Sequence, residues 1–141
     1  GFCIWAYTAS SIFNILKADA GTGDVTHGIR VGTGSTAPGP TDYNLASPIA
    51  HGTGSGQMEH GTVSIDSTII DGSQTYFRIV RTFTNSSGAT ITVREIALII
   101  YTQISTSSKA SIMLARDVLA SAQDVLNGQT LTVRYIISVT T

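Results

Sequence analysis

The chain has 141 residues, of which 42 % are hydrophobic and only 12 % are charged, with a formal net charge of −1. This size allows one domain with a hydrophobic core, and we expect residues 1–141 to form a single β domain. The eight Lys and Arg residues are scattered along the chain, which argues against nucleic-acid binding because that needs clustered positive charge. No run of about 20 apolar residues predicts a membrane span.

The N-terminal segment, residues 1–18, combines a predicted strand with a predicted short helix. Residues 2–8 alternate so that both faces of a strand are apolar. Such a strand needs cover on both sides, so it either inserts beside a strand of a neighbouring copy or lies in the core of its own domain. Residues 12–16 have apolar side chains at helical spacing, which predicts the helix. The candidates for subunit contact are Phe2, Ile4, Trp5 and Tyr7.

Short strands and loops are predicted for the middle of the chain. Residues 27–31 fit a strand, residues 57–66 fit a polar strand, and residues 69–72 fit a turn. Residues 32–37 match the pattern G-x-G-x-x-A, but the prolines that follow prevent the helix that a dinucleotide site requires. We therefore interpret this stretch as a tight loop.

The strongest strand patterns lie in the second half of the chain. Residues 75–84, 89–101 and 131–139 are rich in β-branched and aromatic residues. Residues 85–88 and the pair Asn127-Gly128 predict hairpin turns, and residues 112–119 fit either a strand or a helix. The predicted fold is mainly β, an antiparallel sandwich or jelly roll with one short N-terminal helix.

Glu95 lies inside an apolar run, where simple alternation places it on one face with Ile91, Val93, Ala97 and Ile99. A carboxylate on such a face must pair with a cation or reach solvent. We expect an ion pair with Arg116, with Arg81 and Arg134 as the next candidates.

No constellation of residues predicts chemistry. The histidines and carboxylates lack the spacing of a metal site, and no G-x-S-x-G motif occurs. We therefore expect no catalytic residue, no metal ligand and no cofactor. Cys3 is the only cysteine, which excludes a disulfide within the chain. Asn85-Ser86-Ser87 matches the glycosylation sequon and is expected at an exposed turn.

Two segments carry a resemblance to a known family. The first is Ile29–Pro38 with Thr41–Leu45, which reads "GTG-x-TAP … D-x-x-L", and the second is Phe83–Gly88 followed by Ile91–Leu98. With Arg116–Leu119 and Gly128–Tyr135, they resemble small virion structural proteins of tailed phages and related viruses over residues 12–139. The resemblance implies a non-enzymatic β-sandwich subunit of a tail, fibre or surface assembly. Its partners would be copies of itself and other virion proteins, in the virion or outside the cell.

Two other functions fit the same sequence. One is a subunit of a cellular extracellular filament or pilus, a homopolymer joined by strand addition. The other is an adhesive or carbohydrate-binding β-sandwich, which predicts a cluster of exposed aromatic residues. The candidates for that cluster are Trp5, Tyr7, Tyr43 and Tyr76.

Overall fold

The computed structural model describes residues 17–103 and 109–140, which contain strands and no helix. The prediction of a mainly β protein with antiparallel sheets is confirmed. The predicted N-terminal strand, residues 2–8, and the residues that predict the helix, 12–16, lie outside the described residues. The strands are β1 (Gly28–Gly32), β2 (Glu59–His60), β3 (Ser64–Ile65), β4 (Ile69–Asp71), β5 (Gln74–Thr84), β6 (Ile91–Gln103), β7 (Lys109–Val125) and β8 (Thr130–Thr140).

The strands form two antiparallel sheets. The first has the order β1-β6-β7, and in the second β5 pairs with β8 on one side and with β2, β3 and β4 in turn on the other. β5 and β8 pair continuously from Gln74↔Thr140 to Thr84↔Thr130. Long β-branched runs favour these strands because their side chains pack well on a pleated surface.

The structure decides one open prediction and corrects two others. Residues 112–119, which fit either a strand or a helix, are strand and belong to β7. The polar strand expected over residues 57–66 is two short strands separated by residues 61–63. The turn expected at residues 69–72 is mostly β4, with Gly72 at the turn itself and a positive φ of 59°.

The prediction of hairpins at residues 85–88 and at Asn127-Gly128 is wrong. β5 and β6 lie in different sheets, and so do β7 and β8, so both connections cross between the sheets. The Asn85 N–H donates to the Gln129 carbonyl at 2.9 Å, and the Gly128 N–H donates back to the Asn85 carbonyl at 2.6 Å. Turn chemistry is present at Gly128, whose φ is 85°, but it does not determine whether the flanking strands pair with each other.

The main hydrophobic core draws side chains from both sheets. The apolar face of β5, with Ile79 and Phe83, points into it. Each fully buried Val, Ile or Phe side chain stabilises the fold by about 1.5–3 kcal/mol. The largest fully buried apolar residues of the main core are Ile29, Val31, Met58, Phe83 and Val93.

A shift in pairing along β6 decides which way Glu95 faces. The β6–β7 register jumps between Val93 and Glu95. As a result, Val93 packs with Leu98 in the main core, whereas Ala97 and Ile99 pack with Leu45 in a second, smaller cluster. The prediction that Glu95, Ala97 and Ile99 share one face with Ile91 and Val93 was therefore wrong. Glu95 lies on the face that is covered by the loop of residues 33–48.

Candidate functional site

The Glu95 carboxylate is fully buried and held by backbone amides of the loop that follows β1. Its Oε1 accepts hydrogen bonds from the N–H groups of Ser47 at 2.7 Å and Gly34 at 3.2 Å. Its Oε2 accepts one from the N–H of Ala46 at 3.0 Å. Hydrogen bonds to a charged group are among the stronger ones in proteins, so this carboxylate fixes the loop on the sheet.

Arg116 of β7 completes this arrangement. Its Nη2 lies 2.8 Å and its Nε 3.1 Å from Glu95 Oε2, and its Nη1 lies 2.6 Å from Asp42 Oδ2. The structure thus brings together Glu95 and the first of its expected partners. The Glu95 cluster, as we call it, consists of Glu95, Arg116, Asp42 and the amides of Gly34, Ala46 and Ser47.

The glycines of the Gly-Thr-Gly stretch make room for the carboxylate. A Cβ atom at Gly32 would lie 2.5 Å from Glu95 Oε1, and one at Gly34 would lie 2.6 Å from the same oxygen. Both distances are far below van der Waals contact. The stretch that matches a nucleotide-binding pattern therefore surrounds an anion of its own chain.

Glu95 is ionised at neutral pH. Burial raises the pKa of Glu95, but the amides of Ser47 and Ala46 together with Arg116 outweigh burial and hold the pKa below its ordinary value of 4.5. Every oxygen of this carboxylate already accepts hydrogen bonds from the protein. Its role in this geometry is to hold the loop.

Arg81 forms a second buried charged site that the sequence analysis did not identify. Its side chain is fully buried, and its hydrogen bonds within the described part of the chain go to backbone carbonyls. The sequence pattern does indicate that Arg81 is buried, since Arg81 alternates with Phe77, Ile79 and Phe83 on the core face of β5. Its acceptors are the carbonyls of Gly61 (2.7 Å), Asp24 (2.6 Å), Ile29 (3.0 Å), Gly21 (3.2 Å) and His27 (3.5 Å).

These contacts tie the loop before β1 and the loop after β2 to the middle of β5. Burial lowers the pKa of Arg81 to about 10, so the side chain keeps its charge at neutral pH. A charged donor satisfies several carbonyls at once, which is what buried backbone away from a strand pair needs.

His60 is buried beside Arg81 and Phe83. Its Nδ1 lies 2.9 Å from the Met58 carbonyl, which requires the proton on Nδ1, and its Nε2 has no hydrogen-bond partner among residues 17–103 and 109–140. Burial lowers the pKa of His60 to about 4, so the ring is neutral at neutral pH. The ring packs edge-on against the Phe83 ring, with 5.0 Å between the two ring centroids, and belongs to the core.

Within residues 17–103 and 109–140, no group of three or more His, Cys, Asp or Glu side chains is placed to hold a metal ion. The same residues contain no helix with the length and hydrophobicity needed to cross a membrane.

Asn85 is not an exposed glycosylation site in this structure. The side chain is fully buried, and its Nδ2 donates to the carbonyls of Ala89 and Val125, each at 2.7 Å. A glycan would have to replace one of these hydrogens at a nitrogen that is closed off from solvent. The expectation of an exposed Asn85 was therefore wrong, and this residue instead joins the two connections between the sheets.

The outer half of β8 exposes apolar side chains. On the core-facing side, exposure rises along the strand from 8 % at Val133 to 36 % at Ile137 and 60 % at Val139. On the opposite side, Ile136 is 61 % exposed. Nearby, Ile70 of β4 is 77 % exposed. Thr75 of β5 pairs with Ile70 on one side and with Val139 on the other.

β8 is also an edge strand, since among the described residues it pairs only with β5. β7 is the corresponding edge of the first sheet, and the two edges lie on one side of the molecule, because Tyr135 Oη of β8 is 3.4 Å from Asp117 Oδ2 of β7. The β7 edge is broken twice, around Leu114 and at residues 119–122, where the register with β6 shifts. The β8 edge is unbroken.

The remaining predicted contact residues are placed as follows. Phe2, Ile4, Trp5 and Tyr7 lie outside the described residues. Trp5, Tyr7, Tyr43 and Tyr76 are the candidates for the exposed aromatic cluster of a carbohydrate-binding protein. Among the described residues, Tyr43 is 86 % exposed and Tyr76 is half-buried.

The resemblance drawn from the sequence gains no support from comparison with known proteins. No protein family, curated protein or solved structure matches this chain.

Proposed function

We propose that the chain is a non-catalytic building block that assembles with copies of itself. Its two sheets stack as a β-sandwich, and its copies join along the free edge of β8. The observation that carries this proposal is the β8 edge, which is unbroken over residues 130–140 and exposes Ile136 and Val139. Long apolar edges pair readily with another chain unless something blocks them.

The use of the buried ionisable groups supports a role without catalysis. Glu95 and Arg116 bind each other, Arg81 binds backbone carbonyls, and the His60 ring lies in the core. A catalytic acid or base must reach a substrate proton, and these groups are committed to holding the fold.

A virion tail, fibre or surface layer is the assembly that we propose. Three of the four segments that carry the resemblance to virion structural proteins meet at one place, since Gly34, Asp42, Glu95 and Arg116 all belong to the Glu95 cluster. Their contacts with one another support reading these three segments as a unit.

The assembly state of the purified chain tests the proposal. Light scattering during size-exclusion chromatography, followed by negative-stain electron microscopy, should show species larger than the monomer that grow with protein concentration. Ile136→Lys should shift the protein to the monomer, because a charge on an edge strand opposes strand addition. Leu114→Lys is the matched control, since Leu114 is 47 % exposed on the broken β7 edge, and it should leave assembly unchanged.

Two results would count against the proposal. Wild-type protein that stays monomeric at every concentration would refute self-assembly, and equal loss of assembly in both lysine variants would remove the role of β8.

An antibody against the purified chain should decorate virus particles from a culture that carries the gene. Labelling of cell-borne filaments instead would move the same assembly to the cell.

A further inference from the structure

We propose, on the basis of the self-assembly proposed above, that residues 2–8 of a neighbouring copy are the strand that pairs with the free edge of β8. Strand addition supplies two kinds of contact, namely main-chain hydrogen bonds along the edge and side-chain packing on both faces. The site is therefore β8 itself, and the partner is a second copy of this chain.

β8 requires a partner strand that is apolar on both faces. Successive side chains of a strand point to opposite faces, so a strand beside β8 lies next to Ile137 and Val139 on one face and next to Ile136 on the other. All three residues are exposed in the described fold. Only one residue of β8, Arg134, is charged, so the partner needs little complementary charge.

Residues 2–8 meet this requirement. Phe2 and Ile4 fall on one face, and Trp5 and Tyr7 fall on the other. Residues 1–16 contain no Asp, Glu, Lys, Arg or His side chain. Seven residues in a strand span about 23 Å, which fits within the 11-residue length of β8.

The placement of Lys17 favours a neighbouring copy over the same chain. Lys17 pairs with Tyr101 through two hydrogen bonds of 2.8 Å, antiparallel to β6. Tyr101 pairs with Ser111 of β7 on its other side, so Lys17 lies on the β1 side of β6, whereas β8 packs opposite β7. Followed backwards from Lys17, the backbone points past Tyr101 toward the end of β6. Lys17, the described residue closest in sequence to the segment, therefore lies on the side of the first sheet away from β8.

A deletion variant tests the source of the strand. The variant that lacks residues 1–9 should remain folded, with a cooperative unfolding transition, and should lose all species larger than the monomer. Assembly that persists after the deletion would overturn the inference. Failure of the shortened chain to fold would also overturn it, because the segment would then be part of its own core.

Disulfide trapping in the full-length chain tests the pairing directly. Cys3 is the only native cysteine, so a second cysteine at β8 reports on contact with residues 2–8. Under mild oxidation, Ile136→Cys or Val139→Cys should give a ladder of covalent multimers on a non-reducing gel. Adding Cys3→Ser should abolish the ladder, and Leu114→Cys on β7 should not form one. A monomer with an internal disulfide would show that the segment binds its own chain and would overturn the inference.

The two proposals fail in different ways. Monomeric wild-type protein would refute the proposed function. Wild-type assembly that Ile136→Lys blocks, but that survives deletion of residues 1–9, would leave the β8 interface in place and refute only the identity of the added strand.

Discussion

Glu95 and Arg81 are charged groups that the fold buries and satisfies, whereas Ile136 and Val139 are apolar groups that the fold leaves in solvent. The first pair fixes loops onto strands through hydrogen bonds, and the second pair lies on an edge that has no partner strand among the described residues. We therefore expect the buried charges to determine stability and the β8 edge to determine assembly. Changes at the buried charges should unfold the chain, and changes at the β8 edge should alter how copies associate.

Replacing Arg81 should have the largest effect on stability. Arg81→Met keeps the length of the side chain and removes its donors. We expect the free energy of unfolding to fall by at least about 3 kcal/mol, because each buried carbonyl left without a donor costs about 1–3 kcal/mol. Urea denaturation measures this. Arg78→Met is the control on the same strand, since the Arg78 side chain is half-exposed and its Nε forms an ion pair with Asp66 at 2.7 Å. The loss of stability in this variant should stay below about 1 kcal/mol.

Glu95→Gln should destabilise the chain by about 2–3 kcal/mol, because it leaves Arg116 with one carboxylate and weakens three amide contacts. Thermal unfolding at neutral pH gives the change. Asp42→Asn should cost less, since Asp42 is partly exposed and accepts from Arg116 at the rim of the cluster. Unchanged stability in Glu95→Gln would contradict the assignment of Glu95 as the residue that holds the loop.

Acid should weaken the fold as the pH falls below 6.5. The pKa of His60 is about 4 in the folded chain and 6.5 as its ordinary value, so the unfolded state takes up the proton first as the pH falls below 6.5. Stability should therefore decrease from pH 6.5 toward pH 4, by about 2 kcal/mol at pH 5. Burial also lowers the pKa of His27, which adds to the same trend. His60→Gln should flatten the dependence above pH 5, and an unchanged slope would contradict a buried neutral His60.

Gly34→Ala should lower stability by about 1–2 kcal/mol, because its Cβ would lie 2.6 Å from Glu95 Oε1 and 2.8 Å from the Ala46 Cβ. Gly39→Ala is the matched control in the same loop, since its Cβ would have its nearest neighbour, Asp42 Oδ1, at 3.6 Å. Denaturant midpoints of the two variants compare the effects. Equal midpoints would show that the loop does not pack closely on the carboxylate.

The smallest effect on stability should come from the β8 edge. Ile136→Lys and Val139→Lys place a charge at exposed positions, so the free energy of unfolding of the monomer should change by less than about 0.5 kcal/mol. The same variants should abolish assembly, as measured by light scattering. A large loss of stability in these variants would show that the exposed residues belong to the core of the chain itself.

Local patterns predicted part of this structure. The density of β-branched and aromatic residues identified β5, β6 and β8, and an acidic residue inside an apolar run identified the Glu95–Arg116 contact. These features depend on one segment and its immediate chemistry. The sequence analysis considered Arg81 only as a partner for Glu95, although Arg81 alternates with Phe77, Ile79 and Phe83 on one face of β5.

Other features depend on pairing between distant segments. Asn127-Gly128 has the chemistry of a tight turn, yet β7 and β8 pair with other strands. The shift between Val93 and Glu95 arises where residues 119–122 of β7 stand opposite a single residue of β6. Asn85 looks like a surface residue in sequence, and its burial follows from the meeting of the two connections between sheets. No single stretch of sequence contains this information.

Hydrogen–deuterium exchange of the assembled protein tests the central claim most directly. Backbone amides of residues 130–140 should exchange more slowly in the assembled wild-type chain than in the monomeric Ile136→Lys variant, while those of β7 should exchange at the same rate in both. Added protection along β7, or none along β8, would contradict joining of copies at the β8 edge.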